Sequence, residues 1–292
     1  MKKWIVLLGL LCILLPGCAY AEPPAQIAAT TLPVYEFTNH LCQGTELRVT
    51  RLVTEAVSCL HDYSLSVPQV KAAEAAETVV ISGAGLEEFM EGILEDDKTI
   101  DSSAGIRLLS CEHAHEHERE HGHEHHHEED SHIWLSVENA KIMAKNICVG
   151  LSRRYPQYVD IFADNLATLT EELNILQAYA NRQLSQLSCR EMITFHDGFA
   201  YFADGTGLTI LEAIEEESGS EASASELTAL IQTVREHSLP AIFTESNGSP
   251  SAAGIIAAET GVKVYSLDMA MSGSSYFDAM YHNIDTIKEA FG

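Results

Sequence analysis

The stretch YVDIFADNLATLTEELNILQAYANRQLSQL, residues 158–187, decides how the rest of the chain is read. Val159, Phe162, Leu166, Leu169, Leu173, Leu176, Tyr179, Leu184 and Leu187 recur mostly at spacings of three and four, with no glycine or proline between them. That period puts apolar side chains on one face of an α-helix. At 1.5 Å per residue such a helix reaches about 45 Å, longer than an average globular helix. The pattern is not a strict heptad, which favours a rigid backbone between two lobes over a coiled-coil arm.

On both sides of this stretch, short β-rich runs alternate with helical ones. Before it, the pattern predicts strands at 27–35, 47–52, 78–82 and 106–109. It predicts helices at 68–76, 86–94 and 136–155, the last with Ser136 as N-cap and Glu138 in its first turn. After it come strands at 191–195, 208–211, 241–244 and 262–267, and helices at 200–205, 227–237, 251–260 and 284–291. An acidic, serine-rich loop spans 215–226. This alternation predicts βα units and parallel sheets, hence an α/β fold of two lobes joined by one long helix. The expected boundaries are 27–155 for the first lobe, 156–188 for the linking helix and 189–292 for the second lobe.

The N-terminus points to export. Lys2 and Lys3 precede the apolar run WIVLLGLLCILL and then Pro16, Gly17 and Cys18. A charged start, a short apolar run and a small-residue cleavage zone make a signal peptide, 1–17, and the run is shorter than the roughly 20 residues a membrane-spanning helix needs. Leu15 to Cys18 resembles a bacterial lipobox, which implies lipidation at Cys18 and a tether over 18–26. Lipid chains at Cys18 would hold the rest of the chain on the outer face of the membrane.

Residues 112–130 read EHAHEHEREHGHEHHHEED. Eight of the 14 histidines fall here: His113, His115, His117, His121, His123, His125, His126 and His127. A run this polar forms no hydrophobic core, and dense imidazole suits zinc, copper or nickel, so the expectation is an auxiliary loop that gathers metal ions. The formal net charge of −26, which becomes −28 without Lys2 and Lys3, attracts cations and repels nucleic acid and anionic lipid. No arginine-rich patch opposes that exclusion.

Beyond the signal and Cys18, five cysteines remain: Cys42, Cys59, Cys111, Cys148 and Cys189. An odd number leaves at least one unpaired. Two bridges are open, Cys42–Cys59 and Cys111–Cys148. No CxxC pair is present, which argues against a zinc–thiolate knuckle or a thioredoxin-type site.

Five segments carry a family resemblance. They are LHDYSLSVPQV (60–70), DSHIWLSVENA (130–140), TFHDGFAYFADGTGL (194–208), SLDMAMSG (266–273) and YFDAMYHNIDTI (276–287). In this order they resemble the zinc- or manganese-type substrate-binding lipoproteins of ABC transporters, over essentially the whole mature chain. The resemblance implies a metal cleft between the lobes, with His61, His132 and His196 as ligands and Asp268 or a water completing the shell. Two departures are Leu60 and Met269, where the family commonly has proline. Glu245 and Asp197 are expected to support the ligands, and Asn283 to hold the C-terminal fold. Three imidazoles and a carboxylate suit tetrahedral Zn2+ better than Mn2+, which prefers oxygen ligands. The implied function is an extracytoplasmic zinc receptor, a monomer, that delivers Zn2+ to a membrane ABC permease with its ATPase. The alternatives are a manganese-type receptor, or a metal-buffering or adhesive surface lipoprotein acting through the histidine-rich loop. An enzyme is disfavoured, because neither HExxH nor GxSxG occurs.

Overall fold

A computed structural model describes residues 25–57, 60, 63–110, 129–213, 223–246 and 251–292. Among the described residues, eight strands form two four-stranded, wholly parallel sheets. The first lobe contains β1 (Ile27–Ala29), α1 (Leu32–Leu41), β2 (Val49–Arg51), α2 (Val67–Ala75), β3 (Thr78–Ile81), β4 (Thr99–Asp101) and α3 (Val137–Arg154). Then comes α4 (Val159–Gln183). The second lobe holds β5 (Glu191–Thr194), α5 (Ala200–Thr206), β6 (Thr209–Ala213), α6 (Ala224–Glu236), β7 (Ala241–Glu245), α7 (Ser251–Thr260), β8 (Lys263–Leu267) and α8 (Tyr276–Phe291).

The strand orders, β2-β1-β3-β4 and β6-β5-β7-β8, are the same in the two lobes. Each lobe starts in the middle of its sheet and reverses direction once, and that reversal opens a crevice at the carboxyl ends of the strands. The central strands are apolar because helices cover both faces: all of Ile27–Ala29 is buried, as are Ala241, Ile242 and Phe243.

The linking helix α4 is 25 residues long, about 37 Å at 1.5 Å per residue. A 3-10 turn at Pro156–Tyr158 leads into it, and it stops short of Leu187. Phe162, Leu169, Leu173, Leu176 and Ala180 form its buried stripe. It packs on α1 and α3 of the first lobe and on α8 of the second. Asn165 Nδ2 donates to the carbonyls of Leu41 and Gln43, and Tyr179 Oη donates to Asp285. One helix is thus fastened to both lobes.

The lobes are also joined directly. Trp134, fully buried, donates from Nε1 to Met269 O at 2.7 Å, and Tyr276 Oη donates to Trp134 O at 2.9 Å. Glu36 of α1 accepts from Tyr276 N and Ser275 Oγ at the start of α8. Desolvation raises its pKa above the usual carboxylate value, while those two donors pull it back. A single apolar cluster runs across this joint, from Phe37 and Trp134 to Tyr276 and Phe291.

Several expectations are corrected. The first strand ends at Ala29, and residues 32–35 open α1, where Leu32, Val34, Phe37 and Leu41 face the core. Pro33 supports that start, since its fixed φ suits a helix's first turn. The helix expected at 86–94 is one 3-10 turn, Glu88–Met90. Gly83, Gly85 and Gly92 take positive φ around it, which a helix does not tolerate. Residues 106–109 join no sheet; Thr99–Asp101 is the fourth strand instead. Helices α6 and α8 begin earlier than expected, capped by Ser223 and Ser275. Cys42 and Cys148 are buried free thiols, with Cys42 pushed up to about 12 by desolvation and Cys148 donating to Phe162 O. Cys59 and Cys111 lie outside the described residues.

Glu87 makes a testable contribution to stability. Its carboxylate accepts from Thr30 Oγ1, Ser82 N and Gly83 N, and so ties together the ends of β1 and β3. Burial outweighs these bonds and raises its pKa from 4.5 to about 7. The protonated form is therefore favoured in the folded state. The contribution is fully present below 4.5 and is lost as pH rises through 7, on the order of 3 kcal/mol in all. Glu87→Gln is expected to remove this component from the pH dependence of Tm between pH 5 and 8. Parallel profiles for the two proteins would refute it.

Candidate metal centre

His196 lies two residues beyond the end of β5, and Thr194 Oγ1 fixes its backbone by donating to His196 O at 3.0 Å. His132 comes from the other lobe, just before the 3-10 turn Ile133–Leu135 that leads into α3. The fold brings these two together, 64 residues apart in sequence. Their Nε2 atoms are 3.2 Å apart, and the rings meet edge to face at 5.0 Å between centroids. Both residues are only 3% exposed.

A buried carboxylate stands behind each imidazole. Asp130 Oδ1 is 2.8 Å from His132 Nδ1 and also accepts from His132 N at 2.8 Å. Glu245, the last residue of β7, places Oε1 3.3 Å from His196 Nδ1. An ionised carboxylate accepts but cannot donate, so the Asp130 contact calls for a proton on His132 Nδ1, while Glu245 Oε1 stands near His196 Nδ1 without a hydrogen bond between them. His132 Nε2 then turns its lone pair toward His196 Nε2. A proton on His196 Nε2 makes this contact a hydrogen bond, and with both Nε2 atoms unprotonated the pair presents two converging donors to a metal ion. Two nitrogens bound to zinc at roughly 2.0–2.1 Å, at the tetrahedral angle, stand about 3.3 Å apart. The observed 3.2 Å already matches that separation.

The other expected residues fall as follows. Asp268 directly follows β8. Asn283 of α8 pins its backbone by donating to Asp268 O and accepting from Asp268 N, both at 2.7 Å, as expected of a residue that holds the C-terminal fold. Asp268 Oδ1 accepts from Ala270 N in a turn where Ala270 has φ +56°. The structure therefore draws this carboxylate into the turn and shows it in no contact with either imidazole. Among the described residues, no group of three histidine, cysteine or acidic side chains is close enough to hold an ion. Asp197 is half-buried beside His196. His61, the eight histidines of 113–127 and Cys18 lie outside the described residues. The flanks of His61 are anchored: Leu60 is buried, while Tyr63 Oη donates to Glu55 and accepts from Gln69.

Sequence reading missed the role of Asp130. Asp130 carried the signal of an acid two residues before a candidate ligand. Trp134, which stands in the DSHIWLSVENA motif, places its ring 5.4 Å from that of His132.

A family model described as the zinc-uptake complex component A, periplasmic (ZnuA), matches residues 27–290. The zinc-binding lipoprotein AdcA of Streptococcus pneumoniae serotype 4 is 30% identical over 307 residues, covering 99% of this chain and 61% of that protein. A putative metal-binding protein of Treponema pallidum is 25% identical, covering 94% and 92%. The chain thus spans about three-fifths of the length of the AdcA relative. Among solved structures, a crystal structure of ZnuA superposes with a TM-score of 0.78 at 30% identity, over 91% of this chain and 99% of that one. The Zn(II)-bound ZnuA-like domain of Streptococcus pneumoniae AdcA gives 0.76 at 27% identity, over 92% and 99%.

Proposed function

Because this chain belongs to the zinc-uptake complex component A family, whose members are solute-binding receptors and not enzymes, we infer that it captures Zn2+ outside the cytoplasm and hands it to an ABC permease and its ATPase. The observation that carries this reading is the buried pair His132 and His196, with a carboxylate behind each ring and the Nε2 atoms 3.2 Å apart. His61 is the third ligand in this reading, and Asp268 or a water is the fourth. The turn holds Asp268 Oδ1, so direct binding falls to its other oxygen, and a water is the alternative. Glu245 and Asp130 orient the rings and raise their basicity.

Three imidazoles favour Zn2+ over Mn2+. The histidines of 113–127 act as a weaker collecting segment, because ordering a polar loop around an ion costs entropy that a preformed pair avoids. In this reading the receptor is a monomer held at the extracytoplasmic face of the membrane by lipids on Cys18, after removal of the signal peptide 1–17, through the tether 18–26. Among the described residues no helix is long and apolar enough to cross a membrane. The lobes are 27–155 and 189–292, with 156–188 between them.

Competitive titration of zinc and manganese against a chelating dye tests the reading. One tight zinc equivalent and weak manganese binding are expected. Tighter manganese binding would overturn the zinc assignment, and the absence of a tight site for either ion would overturn the cleft.

A further inference from the structure

Tyr201 belongs to α5 in the second lobe, five residues after His196, and is almost wholly buried. Its hydroxyl reaches across to the first lobe and is used in both directions. It accepts from Leu109 N at 2.9 Å and donates to Asp130 O at 3.0 Å. Leu109 and Asp130 are themselves paired, since Asp130 N donates to Leu109 O at 2.8 Å. The adjoining Ser110 and Glu129 form an antiparallel bridge. These contacts make a short stem that closes the chain on either side of residues 111–128. The same Asp130 holds His132 through both its backbone N and its Nδ1.

The contacts close a ring. From His196 the chain runs through Phe199 to Tyr201, the tyrosine hydroxyl holds Asp130, Asp130 holds His132, and His132 faces His196 again at 3.2 Å. Without the hydroxyl, His132 keeps the Asp130 carboxylate, but the backbone of Asp130 loses its tie to the lobe that carries His196. The spacing between the ligands would then depend on joints farther away, at Trp134 and Glu36.

We propose that Tyr201 is a positioning residue whose hydroxyl, by clamping the Leu109–Asp130 stem, sets the spacing between His132 and His196 and so tunes zinc affinity. The proposal rests on reading those two histidines as ligands. Its physical basis is that partners behind a ligand hold the ring in its binding orientation, and their loss typically lowers metal affinity by about 10–100-fold.

The test uses the full chain with zinc alone as the probe, reading the tightest site by dye competition. Tyr201→Phe keeps the ring and removes only the hydroxyl, and is expected to weaken that site about 10-fold. If Tyr201 acts through Asp130, combining it with Asp130→Ala, which keeps the backbone O but removes the side chain that holds His132, gives a loss no larger than the greater single loss. Combined with Glu245→Gln, which acts on the other imidazole, the two losses multiply. A merely structural tyrosine would lower Tm but show no such selective coupling. Unchanged affinity in Tyr201→Phe, or full additivity with Asp130→Ala, overturns the proposal. His132→Ala is measured alongside. If it keeps tight zinc binding, the ligand reading itself has failed and the proposal falls with it. If it loses zinc while Tyr201→Phe does not, only the clamp has failed.

Discussion

Replacing His196 with alanine is expected to weaken the tightest zinc site by more than about 100-fold, because loss of a partner behind a ligand alone costs roughly 10–100-fold. Three features of the centre set the size of this effect. The ring supplies one of the two nitrogens that converge from opposite lobes at 3.2 Å. It is almost fully buried, so water cannot take its place without reordering the cleft. Its Nδ1 faces Glu245 Oε1 at 3.3 Å, so alanine also takes away the group that faces a buried carboxylate. That last consequence separates folding from binding. The variant should melt at a lower temperature than the parent without metal, and zinc should no longer raise that temperature. Dye competition and thermal melting, with and without zinc, check both parts. A variant that binds zinc within threefold of the parent would remove His196 from the site.

Trp134→Ala is expected to destabilise the protein by about 3–5 kcal/mol, the range for truncating a large buried aromatic. The indole is fully buried where the lobes meet, and its Nε1–H donates to Met269 O in the second lobe. Alanine leaves a cavity and strands that carbonyl. Trp134→Phe keeps most of the volume and loses only the donor, so about 1–3 kcal/mol is expected for the unsatisfied carbonyl. The difference between the two variants separates packing from hydrogen bonding. Urea unfolding followed by circular dichroism measures both. Equal losses would mean that packing contributes nothing beyond the hydrogen bond, against the placement of Trp134 in the shared core. The ring also stands 5.4 Å from that of His132, so both variants should weaken zinc binding as well.

Much of the architecture was legible in the sequence because it depends on near neighbours. The helical period of residues 158–187, the N-cap at Ser136 and the short apolar strands each follow from residues a few positions apart. The errors also have local causes. LPVYEF carries valine and two aromatics, which suit a strand, yet their burial on α4 and α3 made it a helix. Thr99–Asp101 is only three residues long, too short for any period to show. Gly92, with φ +81°, broke the helix that the apolar residues of 86–94 alone suggested.

The sequence by itself determined that two α/β lobes flank a long helix and that His132 and His196 are the residues to watch. Only the tertiary structure decided what stands behind those rings, how far apart they are and how the lobes are pinned. Glu245 is 49 residues from His196 in the chain, Tyr201 is 71 from Asp130 and Met269 is 135 from Trp134. Helical and strand patterns arise from backbone hydrogen bonding and side-chain period within a few residues. The direction of a lone pair is set by a carboxylate that only packing brings near. Asp268 shows the same division: its motif marks it as a ligand, while the backbone turn at Ala270 already occupies one of its oxygens.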